Sequence, residues 1–314
     1  MLEEFANASR TMIRTNAAQA LTAPLTDAPS APTSPAMLQE EIDGANSVYA
    51  QTVPAGTTPI DDAALSALDV NNVGFYAVAY EVDGAVIVAF EGTQLAPTPY
   101  GLQTIAADIQ IFRGQTPQAF DYAIEFVLDV QAVAGSMPVY ITGHSLGGAE
   151  AEAVAAFAAN PSNDLSIVGG VTFGAPGLPG YCGPADLGGL TDYVDYGDPV
   201  GNYARDGELA DIARTGDHFG TVQFVGPPRD AAITAFNLLT GNFDQVFQFH
   251  ALSHYAEDLG LTIEPSAEVA AAHQGALAAA IHAEVAVHAV DGAEGATPHV
   301  DLGAAHAHLH HFLV

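Results

Sequence analysis

A serine enclosed by glycines, in Gly143-His144-Ser145-Leu146-Gly147, is the part of this sequence that most directly suggests chemistry. A serine hydroxyl is a weak nucleophile until a base removes its proton, and a sharp strand-to-helix turn can lift its oxygen clear of a sheet. Glycines suit such a turn because it leaves little room for a Cβ atom. We therefore predict that Ser145 is the nucleophile of an acyl-transfer reaction. The alternative is a tight turn whose serine only caps a helix.

The two neighbours of Ser145 have different expected roles. Leu146 follows the nucleophile, and the backbone N–H at that position is a donor to the oxyanion that forms during acyl transfer. His144 precedes the serine, so its side chain should point away from the serine oxygen. We expect His144 to pack and hydrogen-bond within the turn rather than to act as the base.

The segments around Ser145 have the pattern that such a turn requires. Val139–Ile141 is β-branched and aromatic and predicts a short buried strand, and the alanine-rich residues 149–159 predict a helix. Upstream, residues 74–82 and 85–90 predict two strands of a hairpin, with Asp83-Gly84 as its turn. The order strand, turn, helix around the serine is therefore satisfied.

Strands and helices continue to alternate along the chain. Residues 118–134 form an amphipathic helical pattern, 167–173 and 192–196 predict further strands, and 243–258 predicts a last helix. This alternation predicts an α/β fold with a mainly parallel central sheet flanked by helices, and with appendages at both termini. In such a fold the ligand site lies at the carboxyl ends of the strands.

The 314 residues divide into one catalytic domain with two appendages. Residues 1–36 predict a short N-terminal helix followed by a Pro/Ser/Thr-rich linker, and residues 37–262 predict the α/β domain. Residues 263–314 predict an alanine-rich helix and a histidine-rich tail. The tail histidines could bind a transition metal, although an incidental His-rich terminus is more common; they are His306, His308, His310 and His311.

The charge of the chain excludes some classes of partner. Aspartate and glutamate total 37 residues, whereas lysine and arginine total 6 and all of these are arginine, so the formal net charge is −31. Nucleic acid is therefore not an expected partner, because its phosphates require basic side chains. An anionic membrane surface would also repel the chain, so we expect at most peripheral contact with a lipid interface. No protein partner is evident.

The location of the protein is not decided by these features. Cys182 is the single cysteine, so no intrachain disulfide forms, and the first twenty residues lack the apolar stretch of a Sec signal peptide. The acidic composition and the apolar end Phe312-Leu313-Val314 favour secretion by a non-Sec route of type I. A cytoplasmic location is the alternative.

Further motifs, taken in order with the serine motif, resemble those of class 3 (fungal-type) lipases in the α/β-hydrolase superfamily. The motifs are Phe90-Glu91-Gly92-Thr93, Gly143-His144-Ser145-Leu146-Gly147-Gly148, Thr172-Phe173-Gly174-Ala175-Pro176, Asp198-Pro199-Val200, and His250 with Tyr255 five residues later. The order Ser, Asp, His is the one that α/β-hydrolases use. The resemblance therefore implies an α/β-hydrolase fold and ester hydrolysis.

The resemblance also implies which acid and base serve Ser145. Asp198 would orient the base, with Asp195 as the alternative in the same acidic run. His250 would be the base, because its spacing from Tyr255 is that of the family. His254, one helical turn further on, and His218 are the alternatives.

Two features near Thr93 also follow from the resemblance. Thr93 would be a second oxyanion donor beside Leu146, and Asp108 would support Thr93 by a hydrogen bond. Glu91 departs from the family, which usually has arginine there.

Class 3 lipases carry a lid in the region that corresponds to residues 94–106. This stretch has an apolar side suited to a lipid surface, but its prolines and glycine argue against a regular helix, and an ordinary connecting loop is the alternative. We expect Leu95, Tyr100 and His144 to contact substrate.

The expected reaction is hydrolysis of a carboxylic ester through a Ser-His-Asp triad and an acyl-enzyme, without a cofactor and without a metal ion among the site residues. A triacylglycerol lipase acting on a lipid or small ester is the leading hypothesis. A phospholipase A1 or a short-chain carboxylesterase would use the same triad. The alternative of another class is a non-catalytic secreted binding protein with a metal-binding tail.

Overall fold

The computed structural model describes residues 34–60, 73–94, 98–183, 189–208, 215–240, 242, 245 and 247–263. The predicted N-terminal helix, the alanine-rich helix and the histidine-rich tail lie outside the described residues, as does Leu95.

A mixed sheet of seven strands forms the centre of the described domain. The strands are β1 (Thr58–Pro59), β2 (Ala77–Val82), β3 (Ala85–Phe90), β4 (Val139–His144), β5 (Gly169–Phe173), β6 (Leu190–Asp195) and β7 (Thr221–Val225). They lie side by side in chain order. β1, β2 and β3 pair antiparallel, and every neighbouring pair from β3 to β7 is parallel. The predicted mainly parallel sheet is therefore confirmed.

The predicted hairpin joins β2 to β3. Asp83 and Gly84 have φ values of 52° and 77°, which is the left-handed conformation that both central residues of a type I′ turn require. All six residues of β3 are buried, so this strand is apolar throughout instead of alternating. Its carboxyl end leads directly into Glu91-Gly92-Thr93, beside the end of β4.

Six α-helices lie beside the sheet in the described part of the chain. They are α1 (Pro35–Ser47), α2 (Pro99–Phe112), α3 (Ala119–Ala134), α4 (Leu146–Ala158), α5 (Arg229–Thr240) and α6 (Leu252–Leu259). The largest buried apolar cluster combines α3 and α4 with β2, β3 and β4, and a second one combines α1 and α6 with β5. None of the described helices is both long and apolar enough to cross a bilayer.

Two helix predictions near the site need correction. The stretch expected to be irregular contains α2, because Thr98 caps its start by accepting from the N–H of Gly101 and Pro99 occupies the first turn, where proline is tolerated. The single helix expected over residues 243–258 is interrupted. A short 3₁₀ turn, Gln248–His250, precedes α6, because Ala251 between them is extended with ψ 133°.

Candidate active site

Ser145 lies between the end of β4 and the start of α4 in a strained backbone conformation. Its φ is 58° and its ψ is −124°, a region that a residue with a Cβ atom rarely adopts. The N–H of Ser145 donates to the carbonyl of Phe173 at the end of β5, at 3.0 Å. Neighbouring strands therefore hold the turn, and Ser145 itself is buried.

The glycines around Ser145 are required by close backbone contacts. A Cβ atom on Gly143 would lie 2.2 Å from the carbonyl oxygen of Gly147, and one on Gly147 would lie 2.3 Å from the carbonyl oxygen of Phe90. Both distances are far below van der Waals contact with backbone atoms. The helix α4 can therefore start directly against β3 and β4 only if these residues have no side chain.

Three side chains predicted to act together form a continuous chain of contacts. His250 Nε2 lies 2.9 Å from Ser145 Oγ, and His250 Nδ1 lies 2.9 Å from Asp198 Oδ2. All three side chains are buried. An imidazole held by a carboxylate on one nitrogen can accept the serine proton on the other, so this geometry is suited to nucleophilic acyl transfer.

The loops that carry Asp198 and His250 are fixed locally. Asp198 follows β6 by three residues, and its Oδ1 accepts from the N–H of Val200 at 2.7 Å, which is a local side-chain turn. His250 ends the 3₁₀ turn, and its N–H donates to the carbonyl of Phe247 at 3.0 Å. Each loop therefore presents its side chain at the carboxyl end of the sheet.

Tyr255 is a site residue to which the sequence interpretation assigned no role. Its hydroxyl donates to Asp198 Oδ2 at 2.5 Å and accepts from the N–H of Asp195 at 3.1 Å, and the side chain is fully buried. The spacing between His250 and Tyr255 was the available signal. Gly174, with φ 60°, leaves room for the contact between Tyr255 and Asp198, since a Cβ atom there would lie 2.5 Å from Asp198 Oδ2.

The alternative bases have other partners. His254 Nε2 lies 3.6 Å from Asp195 Oδ2 and 3.7 Å from Asp258 Oδ2. His218 Nδ1 lies 2.8 Å from Asp206 Oδ1, and its Nε2 lies 2.9 Å from the carbonyl oxygen of Ala175. Burial lowers the pKa of His218, but Asp206 and nearby carboxylates outweigh that effect and raise it to about 10.

His144 is held by protein groups on both ring nitrogens. Nδ1 lies 2.8 Å from the hydroxyl of Tyr49, and Nε2 lies 2.7 Å from the carbonyl oxygen of His250. Because a carbonyl only accepts, Nε2 carries a proton and donates to it. The rings of His144 and His250 are also 4.7 Å apart. His144 therefore supports the segment that carries His250, and its contact with substrate stays a prediction.

The predicted oxyanion residues lie at two adjoining element ends. Thr93 follows the end of β3, and Leu146 is the first residue of α4. Thr93 Oγ1 donates to Asp108 Oδ2 at 2.6 Å, which is the hydrogen bond that the resemblance implied. Burial raises the pKa of Asp108 to about 7, against the lowering effects of Thr93 and of His250.

The half-buried Tyr100 and the buried Glu91 form a hydrogen-bonded pair beside this loop. The hydroxyl of Tyr100 donates to Glu91 Oε2, and Gln94 Nε2 donates to Glu91 Oε1 at 2.6 Å. Burial raises the pKa of Glu91 to about 7, although these hydrogen bonds favour its charged form. Tyr100, expected to contact substrate, therefore joins α2 to the loop after β3.

Comparisons with known proteins agree with this architecture. Residues 40–227 match the model of a phospholipase-like family, the Tle-like phospholipase domain. No curated protein matches the sequence. The mainly parallel sheet, the turn at Ser145 and this match confirm the predicted α/β-hydrolase fold of lipase type. The match lies inside the predicted domain of residues 37–262, whose bounds stay a prediction.

Several solved structures of fungal lipases are similar to the chain at low identity. The lipase–propeptide complex of Rhizomucor miehei is 19% identical, with 60% of this chain and 67% of that chain covered and a TM-score of 0.37. A triacylglycerol lipase from Penicillium expansum is 15% identical, with 65% and 88% covered and a TM-score of 0.38. The Lip2 lipase of Yarrowia lipolytica is 16% identical, with 65% and 83% covered and a TM-score of 0.38.

Proposed function

This chain belongs to the phospholipase-like family of the Tle-like phospholipase domain, and from that premise we propose that it hydrolyses the acyl esters of glycerophospholipids with Ser145 as nucleophile. The observation that carries the proposal is the unbroken contact chain from Ser145 Oγ through His250 to Asp198, with 2.9 Å at each step. A serine that only forms a tight turn does not require hydrogen bonds to a buried imidazole and, through it, to a buried carboxylate.

The proposed reaction follows from the position of each group. Ser145 Oγ attacks the ester carbonyl while its proton passes to His250 Nε2, and Asp198 stabilises the imidazolium that forms. The backbone N–H groups of Leu146 and Thr93 stabilise the oxyanion, and the hydroxyl of Thr93 joins them when its proton is not donated to Asp108. His250 then protonates the departing alcohol. Water, deprotonated by His250, cleaves the acyl-enzyme, releases the fatty acid and restores Ser145.

Triacylglycerol is the second candidate substrate, and short-chain esters are the third. The family match favours a phospholipid, whereas the ordered motifs around Ser145 resemble those of class 3 lipases. The net charge of −31 favours a zwitterionic lipid over an anionic one, since an anionic surface would repel the chain. The same acyl-transfer groups serve all three esters, so the choice depends on the acyl pocket and on contact with the lipid surface.

Labelling with a fluorophosphonate probe tests the nucleophile. Wild type should be labelled and should hydrolyse esters, and Ser145→Ala should do neither. Ser162→Ala, which changes an exposed serine, is the matched control and should behave as wild type. Equal labelling and hydrolysis by wild type and Ser145→Ala would contradict the proposal. Absence of label from wild type would favour the non-catalytic binding protein.

Product analysis then separates the substrates. Three substrates are compared at equal enzyme concentration. They are phosphatidylcholine with different acyl chains at its two positions, an emulsified long-chain triacylglycerol, and a chain-length series of p-nitrophenyl esters. Release of fatty acid from phosphatidylcholine in preference to the emulsion supports the phospholipid. A preference for the emulsion supports the triacylglycerol, and activity on soluble short esters alone supports an esterase.

A further inference from the structure

Three side chains near the loop that carries Asp198 have polar atoms that face one another without forming a hydrogen bond. They are Asp195 at the end of β6, and His254 and Asp258 one turn apart on α6. His254 Nε2 lies 3.6 Å from Asp195 Oδ2 and 3.7 Å from Asp258 Oδ2, and the three atoms all lie within 4.8 Å of one another. Each of these atoms is shielded from solvent and lacks a hydrogen-bond partner.

Burial of the Asp195 carboxylate is energetically unfavourable unless a further group binds its free oxygen. Its side chain is fully buried, and its Oδ1 accepts from the N–H of Gly197 at 2.6 Å, but its Oδ2 has no hydrogen-bond donor. A buried carboxylate oxygen without a partner is strongly unfavourable. This oxygen lies within 4.8 Å of the free polar atoms of His254 and Asp258, at no hydrogen-bond distance from either, so the three side chains leave room for one cation between them.

Gly226 keeps that space open. This residue follows β7 with φ 71°, and a Cβ atom on it would lie 2.1 Å from Asp195 Oδ2 and 3.0 Å from Asp258 Oδ2. Any side chain would therefore collide with the two carboxylates. Asp230 at the start of α5 adds further negative charge that acts on His254. The side chains of His254 and Asp258 are 26% and 13% exposed, although their facing polar atoms are shielded, so the cluster lies just beneath the surface.

The donor set identifies the class of cation. One imidazole nitrogen with two carboxylate oxygens is a typical set for a divalent transition metal, whereas Ca²⁺ and Mg²⁺ prefer oxygen alone. Ligands at about 2.1 Å from a tetrahedral Zn²⁺ are about 3.4 Å apart, which is close to the two distances from His254. The fourth position would be left to water. The rival occupant is a proton on His254, which would make the imidazolium an ion-pair partner of both carboxylates at 3.6 and 3.7 Å.

We propose that Asp195, His254 and Asp258 bind a divalent transition-metal cation of the Zn²⁺ class. The cation would join the end of β6 to α6. These two elements carry Asp195 and Tyr255, which are linked by hydrogen bonds to Asp198 of the proposed triad. Asp195 donates its N–H to Tyr255, and Tyr255 donates to Asp198. The ion touches none of the reacting groups, so its role is structural, and the inference does not depend on the proposed ester hydrolysis.

Metal uptake and unfolding are measured together on the full chain. Wild type, Asp258→Asn and Glu257→Gln are stripped with a chelator, titrated with Zn²⁺ and analysed for bound metal. Asp258→Asn should bind one equivalent fewer than wild type. Glu257→Gln removes the same charge from an exposed position of the same helix and should match wild type. Histidines of residues 264–314 that bind Zn²⁺ contribute equally to all three proteins, so the difference isolates the cluster.

Thermal unfolding supplies the second reading. Zn²⁺ should raise the unfolding midpoint of wild type and Glu257→Gln well beyond the effect of equal Mg²⁺, which controls for screening of the net charge. Asp258→Asn should show only the Mg²⁺-like effect. If Asp258→Asn does not fold, His254→Gln replaces it. Equal Zn²⁺ uptake by wild type and a folded variant, or no Zn²⁺-specific rise in wild type, would overturn the proposal.

Discussion

At the scale of single residues, the proposed reaction gives the hydroxyl of Thr93 two competing acceptors, Asp108 and the substrate oxyanion. In the structure it donates to Asp108 Oδ2 at 2.6 Å, so that proton is not free for a substrate oxyanion. Burial raises the pKa of Asp108 to about 7. Below that pH the protonated carboxyl can donate to Thr93 Oγ1, which frees the threonine proton. The hydroxyl should therefore contribute more to oxyanion stabilisation at pH 6 than at pH 8.

Replacement of Thr93 tests this competition. Thr93→Val removes the hydroxyl and should lower kcat/KM by about 10²- to 10³-fold, the usual effect of losing one oxyanion donor. Thr93→Ser keeps the hydroxyl and should retain most of the activity. The ratio of wild-type to Thr93→Val kcat/KM, measured from pH 6 to pH 8 on a soluble ester, should fall as pH rises. A ratio near one throughout would mean that the hydroxyl takes no part.

The sequence was informative about individual residues where local motifs mark them. Ser145, Asp198 and His250 were chosen from spacing and resemblance, and the structure brings their side chains together, although their catalytic roles stay predictions. The contacts of His144 with Tyr49 and of Tyr255 with Asp198 were not foreseen. These bonds join residues that are far apart in the chain, and although the spacing from His250 marks Tyr255, no local pattern identifies Asp198 as its partner.

At the scale of elements, α2 is bound to the loop after β3 along one side. Asp108 accepts from Thr93, Thr104 Oγ1 accepts from the N–H of Gln94 at 3.0 Å, and Tyr100 donates to Glu91. The opposite side of α2 carries Leu102, which is 42% exposed. A helix anchored in this way supports the loop after β3 and exposes an apolar side chain to solvent. Whether it also covers Ser145 as a lid stays a prediction.

Leu102 should matter for lipid surfaces and not for soluble substrates. Leu102→Ser removes apolar area that could enter an interface, and activity on zwitterionic vesicles should fall by about three- to tenfold. Activity on a soluble short-chain ester should stay unchanged. Val133→Ser alters a similarly exposed residue on α3 and is the matched control. An equal loss on both substrates would point instead to damage within the site.

Element boundaries were predicted best where turn chemistry is explicit. The hairpin with Asp83-Gly84 and the helix α3 have nearly the predicted bounds. β7 and α5 were not predicted, and β7 is a partly exposed edge strand whose alternation is too short to stand out. The helix α1 starts at Pro35, within the segment predicted to be a linker, because Ser34 caps it by accepting from the N–H of Met37 at 3.2 Å.

At the scale of the whole molecule, acidic groups are both numerous and buried. Glu41, Glu150 and Glu152 are fully buried, and burial raises the pKa of each well above its ordinary value. Neither carboxylate oxygen of Glu41 or of Glu150 has a hydrogen-bond partner. With a net charge of −31, ionising these groups adds to repulsion that already opposes the compact state. Composition predicts the net charge, but not which carboxylates are buried.

These carboxylates should make the fold more stable as pH falls from 8 to 5. A carboxyl whose pKa is raised by folding holds its proton more tightly in the native state, so acidification through that raised pKa favours the native state. Each such group contributes a slope of up to about 1.4 kcal/mol per pH unit. Urea unfolding at pH 5, 6, 7 and 8 measures this slope. Glu150→Gln should flatten it, whereas the exposed Glu257→Gln should not. Equal slopes for wild type and Glu150→Gln would contradict the assignment, because Glu150 would then bind no more protons in the native state than in the unfolded one.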